Sequence, residues 1–290
     1  MARALAEGHP VAAAVLAEAD EVLGIHLSGL MAKGPEDELT ATRNAQPALL
    51  VHSVAVLRVA EDRLGIPVLA AGHSLGEFSA HVAAGTLGFA DALRTVRLRG
   101  ELMYEAGLAR PGTMAAVLGL ADDQIEEVCA RVDAGVCQPA NFNSEGQVVI
   151  SGDLAGVEQG SALATEAGAK KVVPLSVSGA FHSELMTPAG EGLREWLATV
   201  EFRDPAYPVV SNVTARPVLT GAEARDLLVR QVTAPVRWSA SIAAMVDAGV
   251  DRFVELGPGK VLCGLNRRNA KGIPCSNLAE PDDFIALEST

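Results

Sequence analysis

The run Gly72-His73-Ser74-Leu75-Gly76 holds the most specific chemistry in this chain. A serine between two glycines, with a short apolar stretch before it and a helix-forming stretch after it, matches a nucleophile elbow. A sharp strand-to-helix turn needs small residues, and a side chain at either glycine is expected to collide with the neighbouring strand or helix. Such a turn aims the Ser74 hydroxyl outward over a helix N-terminus. The Leu75 backbone N–H can then face a developing oxyanion. The chemistry is acyl transfer through a covalent serine ester.

A serine hydroxyl needs a base. Of the six histidines, His182 is the best placed. It ends the loop Ser178-Gly179-Ala180-Phe181-His182 after a predicted strand, where sites are commonly built. His73 adjoins the serine, but neighbouring side chains at an elbow diverge, so it is expected to support the loop. His81 reads as a packing or surface residue. His9, His26 and His52 read as ordinary residues of early helices and loops.

Arg99 is the informative cation. In a helix predicted over 91–106 its neighbours three and four residues away are Thr95, Val96, Leu102 and Met103, so it faces the core. Arg97, beside Leu93, Arg94, Gly100 and Glu101, reads as solvated. A buried arginine requires a partner. Spacing leaves two readings open: a structural ion pair with a buried carboxylate, or a fork for a substrate carboxylate. Gly257-Pro258-Gly259-Lys260 lacks the earlier glycine and the following Ser or Thr of a phosphate loop, and reads as a strand-to-helix turn.

These residues must be held by regular elements. An amphipathic helix is predicted over 11–23, ended by Gly24. Another is predicted to open at Gln46-Pro47, with proline in its first turn. Ile66-Pro67-Val68-Leu69-Ala70-Ala71 reads as a buried parallel strand leading into the elbow. Helix 77–84 stops at Gly85. After Arg110-Pro111-Gly112 the rhythm changes to strand 114–120, helix 122–132, strands 137–142 and 147–151, helix 153–167 and strand 172–177. This β-α-β-β-α-β order is the ferredoxin-like pattern. The α/β rhythm then resumes: helix 183–199, strand 207–213, helices 222–231 and 238–248, strand 252–256 and a last helix. The fold class is therefore α/β, with a parallel sheet over 1–111 and 179–290 interrupted by a ferredoxin-like subdomain over 112–178. The acidic tail from about 279 is expected to be loosely held.

Composition removes several classes. The chain has 290 residues, 49% hydrophobic, enough for one large domain carrying an insertion. A net charge of −13 without a basic stripe argues against nucleic acid. Cys129, Cys137, Cys263 and Cys275 show no CxxC spacing and are expected to be free thiols in a reducing cytoplasm. No HExxH or HxH pattern points to a metal. No apolar run of about 18 residues predicts a membrane span, and no signal peptide is read at the start.

Six stretches recur in a set order. They are Gln46-Pro47-Ala48-Leu49, the elbow run continued by Glu77-Phe78-Ser79-Ala80, Arg97-Leu98-Arg99-Gly100, Asn141-Phe142-Asn143-Ser144 with Gly146-Gln147-Val148-Val149-Ile150, Ser178–His182, and Glu255-Leu256-Gly257-Pro258-Gly259-Lys260-Val261-Leu262. In that order, over nearly the whole chain, they resemble the malonyl-CoA:acyl carrier protein transacylases and the related acyltransferase domains of polyketide synthases. The resemblance implies a hydrolase-like core with a ferredoxin-like insertion. It implies Ser74 as the acylated nucleophile, His182 as its base and later acid, and Arg99 as the malonyl carboxylate fork. Gln231, in Leu228-Val229-Arg230-Gln231, falls where a main-chain carbonyl orients the histidine, giving a dyad plus a carbonyl. Asn141 and Asn143 match substrate-channel positions. Phe181 before the histidine and Leu75 after the serine go with malonyl over methylmalonyl, although one methyl is worth only about 1–3 kcal/mol. The implied substrates are malonyl-CoA and the phosphopantetheine thiol of acyl carrier protein, in fatty-acid or polyketide synthesis. No permanently bound cofactor, no metal and a cytoplasmic monomer are expected.

Family members open with a strand and a Phe-Pro-Gly-Gln-Gly turn that supplies the second oxyanion donor. This chain begins at Met1-Ala2-Arg3, in what resembles the helix after that turn. The expectation is that the given start lies downstream of the natural one, without the N-terminal strand. Two competing classes follow: a serine hydrolase such as a thioesterase, and a non-catalytic carrier-protein-binding relic.

Overall fold

Helix Thr42–Leu64 is the spine of the core in the computed structural model, which describes residues 1–285. Its buried Leu50, Val51, Val54 and Val56 pack with Leu93, Val96 and Met103 of helix Phe89–Ala109. The helix starts at Thr42, ahead of Gln46, so Pro47 lies inside it and not in its first turn. Proline has no N–H for the Arg43 carbonyl. Arg97 Nη1 donates to that carbonyl instead, at 3.1 Å, and to Asn44 Oδ1 at 2.6 Å. Arg97 is consequently half-buried, a correction to its solvated reading.

The expected single parallel sheet is divided. Ala70–Ala71 pairs in parallel with Val209–Val210, which pairs antiparallel with Pro217–Val218. Phe253–Leu256 pairs in parallel with Cys275–Leu278 in a separate two-stranded sheet. The stretch read as a buried strand contributes only its last two residues, since Ile66 is 90% and Val68 64% exposed. Pro67 and Pro208 remove ladder donors from these segments. The chain is mixed α/β, with helices covering short parallel ladders.

Between them, Gly112–Leu118, Cys137–Ser144, Gln147–Asp153 and Lys171–Pro174 build a four-stranded antiparallel sheet. Alternation along its strands divides two faces. One face buries Ala115, Val117 and Ile150 under helices Asp122–Ala130 and Leu154–Glu166. The other presents Met114, Ala140 and Val149 to Phe181. Strand Cys137–Ser144 shifts register between Pro139 and Asn141 and between Phe142 and Ser144. Backbone bonds from Phe142 N to Val236 O (2.9 Å) and Val236 N to Ala140 O (2.8 Å) fasten this sheet to the rest of the chain.

Two expectations are corrected elsewhere. Cys263 and Cys275 form a disulfide that ties helix Val261–Asn269 to strand Cys275–Leu278. Free thiols remain at Cys129 and Cys137, both buried, their sulfurs 3.8 Å apart. The tail from 279 is not loose through its described part: helix Pro281–Ile285 buries Phe284, whose ring lies 5.5 Å from that of His9. The rest of the tail lies outside the described residues. Among the described residues no helix is long and apolar enough to cross a membrane.

Candidate active site

Ser74 sits between the short strand Ala70–Ala71 and helix Gly76–Ala83, with φ of 51°. A non-glycine residue in that region is strained, and strain of this kind gathers at functional sites. His182 is a second such residue, with φ of 58°. A Cβ at Gly72 would lie 1.9 Å from the backbone of Gly76, so glycine is required there. Gly76 is different: a Cβ there meets nothing within 4 Å, which corrects the expectation that both glycines are sterically obligatory.

The strained turn brings distant groups together. Ser74 Oγ lies 2.8 Å from His182 Nε2. His182 Nδ1 lies 2.9 Å from the Gln231 carbonyl and 3.2 Å from that of Ala234. Carbonyls only accept, so Nδ1 carries the proton and Nε2 is free to accept from the serine. Burial, then the Arg99 charge, pushes His182 down to about 3, which keeps the imidazole neutral.

Arg99 is 2% exposed. It donates to Gln46 Oε1 at 2.6 Å, Gln231 Oε1 at 3.0 Å and Ser74 Oγ at 3.1 Å, while its Nε has no partner among the described residues. Burial lowers it to about 10, still cationic at neutral pH. Among the described residues it touches no carboxylate. The nearest buried acid, Glu77, is reached through Gln231, whose Nε2 donates to Glu77 Oε2 at 2.7 Å and to Ser74 O at 2.9 Å. Burial pushes Glu77 up to about 7. Neutral amides thus orient the guanidinium without satisfying its charge.

The remaining candidates stand further out. Asn143 Oδ1 lies 2.8 Å from His73 Nε2, and its carbonyl accepts from Asn269 Nδ2 at 2.8 Å. Asn143 is the extra residue of a register shift, which turns its side chain towards the elbow. Asn141 is buried and forms a backbone bridge to Val236. Leu75 is buried in the main core, and its N–H has no protein acceptor among the described residues. Phe181 is half-buried between that core and the antiparallel sheet. A cavity of about 300 Å³ lined by Cys137, Phe142, Thr233 and Arg237 reaches His182.

Sequence reasoning gave no role to Gln46, Glu77 or Asn212. Glu77 had a local signal, a carboxylate one turn past the elbow in apolar surroundings. Asn212 had none. Its Oδ1 accepts from Ser74 N at 2.7 Å and its Nδ2 donates to Gly72 O at 2.7 Å, across sequence separations of 138 and 140 residues.

The model of the acyl transferase domain family matches residues 1–275. The chain belongs to that family. This acyl transferase is 46% identical to the malonyl CoA-acyl carrier protein transacylase of Bacillus subtilis, covering 100% of this chain and 92% of that protein. The solved acyl carrier protein S-malonyltransferase of Vibrio cholerae superposes with a TM-score of 0.96 at 42% identity, covering 99% of this chain and 94% of that one. A malonyl-transacylase solved in complex with a type II polyketide-synthase acyl carrier protein gives 0.94 at 41% identity, covering 100% and 95%. In this acyl transferase the buried cation therefore lies within hydrogen-bond reach of the serine of its elbow.

Proposed function

We propose that this chain transfers malonyl from malonyl-CoA to the phosphopantetheine thiol of acyl carrier protein through an ester on Ser74. It acts as an [acyl-carrier-protein] S-malonyltransferase. The observation that carries the reading is the Ser74 hydroxyl held between His182 Nε2 and Arg99 Nη2. A malonyl thioester whose carbonyl carbon meets Oγ has its free carboxylate two bonds further on, within reach of the guanidinium. Full-length similarity to transacylases supports malonyl-CoA and acyl carrier protein as the substrates.

In the first half-reaction His182 Nε2 takes the Ser74 proton as Oγ bonds to the thioester carbon. The oxyanion meets the Leu75 N–H. The C–S bond then breaks and His182 returns the proton to the departing CoA sulfur. In the second half the pantetheine thiol gives its proton to His182 and its sulfur attacks the ester. The C–Oγ bond breaks, and Oγ recovers the proton. The Gln231 carbonyl holds the imidazole throughout, a dyad plus carbonyl. Phe181 and Leu75 bound the space beside the α-carbon, and Asn141 and Asn143 line the approach.

The region 112–178 acts as a ferredoxin-like insertion in a hydrolase-like core. Its β-α-β-β-α-β order, with the second and third strands at one edge and the first and fourth at the other, supports this assignment. A thioesterase would be expected to orient its histidine with a carboxylate, where this chain offers carbonyls. Intact-mass spectrometry tests the proposal. Malonyl-CoA should add one malonyl group, absent in Ser74→Ala and passed on when holo acyl carrier protein is supplied. No adduct, or an adduct lost only to water, would overturn it.

A further inference from the structure

The parallel ladder of Ala70–Ala71 and Val209–Val210 ends where the elbow begins. Beyond it the backbone of residues 72–74 turns away and pairs with no strand among the described residues. The Asn212 side chain takes over. Its Nδ2 donates to the Gly72 carbonyl at 2.7 Å and its Oδ1 accepts the Ser74 N–H at 2.7 Å. One planar amide therefore grips the chain on both sides of His73. Asn212 is itself anchored. It is fully buried, its N–H donates to Glu77 Oε2 at 3.2 Å, and its carbonyl accepts from Arg237 N at 2.9 Å. Glu77 in turn is held by Gln231 at 2.7 Å.

This arrangement has two consequences for the nucleophile. Ser74 stays at a φ of 51°, which an unsupported serine would leave for an ordinary conformation. The Ser74 N–H is also taken out of play, so the elbow offers the Leu75 N–H to a developing oxyanion.

We infer that Asn212 is the positioning residue of the nucleophile: its amide clamps the Gly72–Ser74 turn so that Oγ lies between His182 and Arg99. It touches no substrate and acts through Ser74. The inference deepens the acyl-transfer reading and rests on Ser74 being the nucleophile, but not on malonyl being the acyl group.

The test uses Asn212→Ala and the near-isosteric Asn212→Asp, which keeps the acceptor for Ser74 N–H but cannot donate to Gly72 O. Two rates are read in the full chain: malonyl-enzyme formation at saturating malonyl-CoA, and covalent labelling of Ser74 by a fluorophosphonate. A nucleophile displaced by on the order of 1 Å loses about 10²-fold in rate. Asn212→Ala should lose about that much in both rates, and Asn212→Asp about 10-fold. KM for malonyl-CoA should stay within about twofold, because the Arg99 fork rests on Gln46 and Gln231. Asn266→Ala, at a buried asparagine in helix Val261–Asn269, controls for the loss of a buried amide as such and should keep both rates. Labelling within twofold of the parent in either folded variant overturns the inference. So does an equal loss in the Asn266→Ala control. A parent chain that labels with fluorophosphonate but takes no malonyl would instead overturn the substrate reading and leave the Asn212 comparison standing.

Discussion

Replacing Arg99 with alanine separates a substrate fork from a structural arginine. The guanidinium is buried and donates to Gln46, Gln231 and Ser74 but touches no carboxylate among the described residues. A malonyl carboxylate would complete a charge pair in a water-poor site. Removing one member of a buried pair costs about 3–5 kcal/mol. At about 1.36 kcal/mol per decade, kcat/KM for malonyl-CoA should fall roughly 10²- to 10⁴-fold. Acetyl-CoA brings no carboxylate and leaves the parent guanidinium unpaired, so its kcat/KM should hold or rise in the variant. Loss of the 3.1 Å contact to Ser74 Oγ affects both substrates alike, so the malonyl-to-acetyl ratio isolates the fork. Arg99→Lys keeps the charge without the planar fork and should fall between the two. The assay is transfer from each CoA ester to holo acyl carrier protein. A ratio unchanged within about threefold would refute the reasoning, because a purely structural arginine weakens both substrates equally.

Other outcomes follow from the same geometry. Glu77, held protonated up to about 7 by burial, ionises above that pH and puts a negative charge one amide away from Arg99. KM for malonyl-CoA should therefore rise above pH 7, and Glu77→Gln should abolish the rise in a pH series of initial rates. Burial pushes His81 down to about 4, and neither ring nitrogen has a partner among the described residues. Its contribution to stability is complete above the unfolded value of 6.5 and is lost as pH falls from there towards 4, by on the order of 3 kcal/mol. Urea midpoints should drop over that window and drop less in His81→Leu; equal slopes would exclude the linkage. Gly72→Ala should prevent folding or abolish activity, since its Cβ would lie 1.9 Å from Gly76. Gly76→Ala, with open space around the new methyl, should change the melting temperature little and activity less than about threefold.

Much of the site was legible because it is local. The elbow is one turn with its own sequence requirements, and helical spacing alone turned Arg99 inward. The β-α-β-β-α-β alternation over 112–178 could be read because its strands run four to eight residues between clear helices, long enough to leave a signal even where Cys137–Ser144 shifts register. The short core strands could not, because two-residue ladders such as Ala70–Ala71 leave no periodicity to detect. The start of helix Thr42–Leu64 was missed because a proline usually marks a first turn, and here a side chain from another helix satisfied the orphaned carbonyl.

By itself the sequence determined a serine, a candidate base and an inward cation, because residue type and spacing record the demands of the local backbone and which face is buried. Only the tertiary structure decided what each of them meets. Arg99 ends against two neutral amides 53 and 132 residues away, not a carboxylate. Cys263 finds Cys275 across a helix-to-strand return. The Ser74 turn is closed by Asn212, 138 residues downstream. Periodicity shows that a side chain is buried. Its partner is fixed by how distant elements pack, and no local pattern carries that information.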